Sequence, residues 1–232
     1  MNKLEDFKTQ DFSLVLGGPL FQLLRRAHLS GDALELLLQR ILSISLFAWL
    51  PLFLLSALEG QALDRSATVP FLLDAEVHIR FLVALPLLII AELVVNRRMR
   101  LVVKQFHDRN LIPESALARF DRALASALRL RNSVLAEVLL ISFVYVVGIH
   151  LFWRQYTAFQ TATWYGAPTA KGLKLSVSGM WFVYVSLPLF QFLLGRWYLR
   201  LFIWMRFLWQ VSRIDLSLVP THPDRIGGLG FL

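Results

Sequence analysis

The chain reads as all-α: an integral membrane protein with about four transmembrane helices plus interfacial and cytoplasmic helices. Three observations predict this class. Its 232 residues are 56% hydrophobic and 17% charged, whereas soluble domains average roughly 45 to 50% apolar and 25% charged. The apolar residues fall in long blocks instead of recurring at helix or strand period. The basic residues alternate between crowded and sparse loops as the chain passes from block to block.

Residues 1–40 form an N-terminal region. MNKLEDFKTQD mixes both charge signs, and FSLVLGGPLFQLLRRAH at 12–28 resembles a helix lying in the membrane interface, held by apolar area and anionic lipid. Gly17, Gly18 and Pro19 interrupt it and no small-residue cleavage site follows, so a removable signal peptide is not expected. Asp32 and Glu35 have the spacing of a capping box for the helix that follows.

A bilayer core of about 30 Å needs around 20 mostly apolar residues, with a range of about 17 to 25. Residues 41–95 supply two spans, ILSISLFAWLPLFLLSAL (41–58) and the shorter FLVALPLLIIAELVV (81–95). Residues 134–194 supply two more, VLAEVLLISFVYVVGIHLFW (134–153) and VSGMWFVYVSLPLFQFLL (about 177–194). Five Lys and Arg precede the first span, nine separate the second from the third and five follow the fourth, while the other two loops hold two and three. The positive-inside rule then places both ends in the cytoplasm and requires the short second span to cross, extended upstream with Arg80 reaching the headgroups. Trp153, Tyr156, Trp164 and Tyr165 fall at the expected outer interface and Trp197 and Tyr198 at the inner one, where amphipathic rings concentrate.

Residues 96–133 are expected to form a basic cytoplasmic helical hairpin turning near Asn110 to Ser115, with Pro113 at a first helical position. Leu117, Phe120, Leu124 and Leu128 share one face, and Arg119, Arg122 and Arg129 lie mostly elsewhere. Residues 195–232 begin with GRWYLRLFIWMRFLWQVSR, a second interfacial candidate that interleaves arginines with aromatics. They end in PTHPDRIGGLGFL, which could be an active-site loop, a solvated tail or a connector.

Several chemistries are disfavoured. The chain has no cysteine, which removes disulfides, zinc-finger spacing and thiol nucleophiles. No nucleic-acid motif is present, and basic residues beside apolar spans point to anionic headgroups instead. No cofactor is expected.

Ionisable groups within spans are functional candidates because burying them is costly. Glu92 and Glu137 lie three residues from the inner ends of the second and third spans, and Arg196 follows the fourth on the same side. With Gln191 they make a candidate inner-leaflet polar cluster for binding an ion or relaying a proton. The alternative is carboxylates that pair with basic neighbours. On the outer side His78 and His150 flank the second and third spans, with Asp74 one helical turn before His78. Such a set could ligate haem or a transition metal, but matches no ligand spacing, and hydrogen-bonding histidines are the preferred reading. His222 and Asp224 in the closing loop could serve acid-base chemistry. Leu-Pro-Leu at 50–52, 85–87 and 187–189 predicts helix kinks.

The run from Trp181 through THPDRIGGLGFL, with FLVALPLLIIAELVVNRRMR upstream, resembles a group of uncharacterised bacterial multi-pass inner-membrane proteins. The resemblance implies that the closing segment leads into further membrane helices. It implies no activity and no site residue. The functional expectation is therefore a non-catalytic membrane partner or sensor, engaging anionic headgroups and a membrane or cytoplasmic protein, with oligomerisation possible. A transporter or channel component using Glu92 and Glu137 is the alternative, and a membrane enzyme using His222 and Asp224 the third.

Overall fold

The computed structural model describes residues 37–63, 69–109, 111–151, 163–169 and 172–218, together with Pro223, Arg225, Gly227, Leu229 and Gly230. The candidate interfacial helix at 12–28, the Asp32 and Glu35 cap, Trp153, Tyr156, His222 and Asp224 lie outside the described residues.

The fold is mostly helical. Helix α1 is Leu37–Leu58. A 3-10 turn at Phe71–Leu73 leads to α2, Ala75–His78, a π-helical turn, Ile79–Ala84, and α3, Leu85–Asp108. Helix α4 is Glu114–Arg131, and α5, Val134–Phe143, continues through a second π turn, Val144–Gly148. An antiparallel hairpin pairs β1, Gly166–Thr169, with β2, Gly172–Leu175. Then come α6, Val177–Trp181, a third π turn, Phe182–Ser186, and α7, Leu187–Val211.

Four apolar stretches among the described residues are long enough to cross a membrane: Leu37–Leu58, Ala75–Phe106, Val134–Leu151 and Val177–Val211. Their outward side chains are largely hydrocarbon, including Leu42, Leu46 and Leu54 on the first and Leu135, Val138, Leu139 and Val146 on the third. A water-soluble protein rarely exposes so continuous an apolar surface, whereas lipid is a good solvent for it. The second and fourth stretches have 32 and 35 residues, about 48 and 52 Å of helix, well beyond a bilayer core of roughly 30 Å.

The fourth stretch departs from the expected layout. Residues 195–211, expected to begin a separate helix, continue α7 without a break. Gly195 lies within that helix, and its missing side chain makes room for Leu140, whose Cδ1 would lie 2.6 Å from an added Cβ. The strand pair was also not expected, because strands of four residues are too short for an alternation to stand out.

The leucine-proline steps do not behave alike. Pro51 lies within the α-helix α1, whereas Pro86 and Pro188 each follow a π turn by two residues. Proline lacks the N–H that would serve the carbonyl four residues back, and its ring crowds that carbonyl. A widened π turn relieves the crowding at both places.

The described residues divide into two compact units, one comprising those of His28–Ile90 and Glu137–Trp197, the other Ala91–Ala136 and those from Tyr198 onward. The first unit ties its apolar helices together with hydrogen bonds to main-chain carbonyls. Ser186 Oγ donates to Ala48 O at 2.7 Å, Trp197 Nε1 to Leu88 O at 3.0 Å and Tyr145 Oη to Tyr184 O at 3.2 Å. Between helices in lipid, such bonds and close packing replace the hydrophobic effect.

The second unit has its own core. Met99, Val102, Val103 and Phe106 of α3 meet Phe120, Ala123, Leu124 and Ala127 of α4, with Ile203, Phe207 and Val211 of α7. Phe120 sets its ring edge-on to Phe207 at 5.8 Å. Leu117 and Leu128 pack partly buried on this core, and Arg119, Arg122 and Arg129 are exposed, following the helical period of α4. Pro113 stands just before the first helical residue, with extended backbone.

Candidate functional site

Among the described residues, the buried charged side chains are Arg40 on α1, Glu92 on α3, and Arg196 and Arg200 on α7. Glu137 lies in the first turn of α5, where a carboxylate is favoured by the helix dipole. In the first unit Arg196 pairs with it at 3.8 Å, the side chains being only 9% and 12% exposed. That separation makes an ion pair, longer than a hydrogen bond. In the second unit Arg200 pairs with Glu92 at 2.5 Å, with both side chains about as dry as a core leucine. Gln191 lies elsewhere, its amide against Gly148, where a Cβ would fall 2.2 Å from Oε1.

Glu92 therefore has a partner that the sequence reading missed. The available signal was spacing: Arg200 follows Arg196 by one helical turn on the same continuous helix. Chemically, a carboxylate held by a guanidinium has its charge offset by that partner. Removing either partner would leave an uncompensated buried charge.

Asp74, His78 and His150 are built differently. Asp74 caps α2, its Oδ1 accepting from Val77 N at 3.3 Å, while its Oδ2 accepts from Trp164 Nε1 at 2.9 Å. His78 Nδ1 accepts from Trp49 Nε1 at 2.9 Å, which places the proton of a neutral imidazole on Nε2. His150 is exposed on the third apolar stretch. Among the described residues no three His, Asp or Glu side chains gather as a metal set would require.

Around Asp74 and His78 the aromatic residues form a continuous cluster. Trp164, fully buried, meets Phe71, Tyr165 and Phe182 edge-on at 5.0 to 5.4 Å. Phe71 in turn meets the His78 ring at 5.2 Å. Glu59, just past α1, accepts from Val177 N, Ser178 N and Ser178 Oγ at 2.7 to 3.2 Å, capping the start of the fourth stretch. Gly179 makes the closest approach, since a Cβ there would lie 1.9 Å from Tyr165 O. These contacts fasten the loop that carries Trp164 onto the helix ends.

The basic helices of the second unit complete the inventory. Residues 96–133 carry nine basic side chains against three acidic ones. Arg97, Lys104, Arg119, Arg122 and Arg129 are exposed. Burial lowers the Arg131 guanidinium from its ordinary value through desolvation, and it keeps its charge at neutral pH. Arg206 Nη1 donates to Ser126 Oγ at 2.8 Å, joining α7 to α4 beneath that surface.

No protein-family model, curated protein or solved structure matches the chain.

Proposed function

We propose that the chain is a multi-pass protein of a bacterial inner membrane, of the group it resembles, working as a non-catalytic membrane partner or sensor through its basic helices. In this reading the N-terminus and residues 96–133 face the cytoplasm. The observation that carries it is the division of labour between charges. The intramembrane carboxylates are engaged by arginines, whereas α4 turns its apolar face into a core and leaves Arg119, Arg122 and Arg129 exposed. An exposed basic helix close to a bilayer attracts anionic headgroups, by about 1 kcal/mol for each basic residue near the surface. The same face suits an acidic protein partner.

The paired carboxylates weigh against the transport alternative, because neither presents an unengaged charge to a passing ion. The test is hydrogen exchange on the whole protein in vesicles of zwitterionic lipid, with and without added phosphatidylglycerol. Anionic lipid should slow exchange in 114–131, salt should reverse the effect, and an Arg119→Ala, Arg122→Ala, Arg129→Ala variant should lose it. Equal exchange in both lipids would remove the headgroup part of the proposal.

A further inference from the structure

In the first unit an apolar groove of about 320 Å³ opens along the third and fourth apolar stretches, with Phe47 of α1 at one side. That volume is at the lower end of the roughly 300 to 1,000 Å³ of small-molecule sites. Both long walls pass through π turns, Val144–Gly148 and Phe182–Ser186, which displace the backbone from regular helix packing. Such turns recur at functional positions.

The polar groups of the groove are largely accounted for. Pro188 offers no N–H to the carbonyl of Tyr184, four residues back, and the Tyr145 hydroxyl donates to that carbonyl at 3.2 Å. Of the remaining lining, including Ile141, Val185, Leu189 and Phe192, only the Tyr184 phenol is polar. A held water needs two to four polar partners, so one phenol does not keep the groove wet. Nor does the lining offer the convergent polar groups that orient a polar ligand. Ile141, Tyr145 and Tyr184 are all exposed on its open side, where the membrane reading places hydrocarbon.

We propose that this groove holds a single acyl chain of a bilayer lipid, gripped on several sides instead of passing freely along the protein surface. The occupant follows from the chemistry: the lining is hydrocarbon and aromatic, its cross-helix polar pair is closed on itself, and acyl chains are the apolar species available at that depth. Dispersion contacts summed over the walls favour a held chain over one touching a convex face. The proposal rests on the membrane reading.

The experiment uses the full chain in phosphatidylethanolamine and phosphatidylglycerol vesicles containing a trace of phospholipid with a mid-chain diazirine. After illumination, adducts are mapped by mass spectrometry. Val83 and Leu87, exposed on the second stretch, none of whose residues lines the groove, report ordinary lipid contact. Residues of the groove should carry several-fold more adduct than these two. Val185→Phe and, separately, Leu189→Phe should reduce groove labelling to the reference level while labelling at Val83 and Leu87 stays constant and the circular dichroism spectrum is unchanged. Equal labelling of groove and reference residues overturns the proposal in favour of ordinary annular lipid. A groove without adducts while the reference residues are labelled overturns it in favour of a groove closed to lipid. Absence of label from reference and groove residues alike would overturn the membrane reading as well.

Discussion

Arg200 and Glu92 meet at 2.5 Å with side chains 6% and 5% exposed. Replacing Arg200 by Met should leave a buried carboxylate uncompensated and cost about 3 to 5 kcal/mol. Glu92→Leu combined with Arg200→Met should recover most of that loss, because the desolvation penalty disappears along with the attraction. Unfolding in detergent micelles, followed by circular dichroism, compares the two.

The same pair bears on transport. Glu92→Gln with Glu137→Gln should leave ion and solute flux across proteoliposomes at the level of the unaltered protein. Loss of flux with intact folding would return both carboxylates to a conduction pathway.

Gly179, Gly148 and Gly60 should rank in that order when each is changed to alanine. At Gly179 the added methyl meets the fixed main chain of Tyr165 at 1.9 Å, so either the hairpin or α6 must move. At Gly148 it meets the end of the Gln191 side chain, which can swing aside. At Gly60 there is open space, but φ is +73°, a conformation that costs a non-glycine residue about 1 kcal/mol or more. Melting temperatures of the three variants give the ranking directly.

Trp164→Phe keeps the aromatic contacts but removes the donor to Asp74. The half-served carboxylate should cost about 1 to 3 kcal/mol. Asp74→Ala in the Trp164→Phe background should then cost less than in the unaltered protein. A double-mutant cycle read by thermal unfolding measures the difference.

The parts legible in the sequence were those written in local pattern. Unbroken apolar runs marked the four stretches, and Leu117, Phe120, Leu124 and Leu128 marked the inward face of α4 by their spacing. What escaped depends on residues far apart along the chain. Trp164 reaches Asp74 across 90 positions and Glu59 reaches Ser178 across 119, so no local period announces either. The partner of His78 is Trp49, inside the first apolar stretch, where a tryptophan reads as one more apolar residue. Arg200 was hidden among the arginines and aromatics after the fourth span, although its one-turn spacing from Arg196 placed both on one face. The π turns escaped because proline predicts a disturbed helix without specifying how the disturbance is absorbed.

The absence of cysteine makes the central claim, a four-span protein with its basic helices in the cytoplasm, directly measurable by single-cysteine labelling. Ser115→Cys in the hairpin and Thr169→Cys in the strand pair would each be exposed to a membrane-impermeant maleimide in spheroplasts. The account predicts labelling at 169 from outside, and at 115 only after the membrane is permeabilised. Labelling at 115 in intact spheroplasts would contradict it.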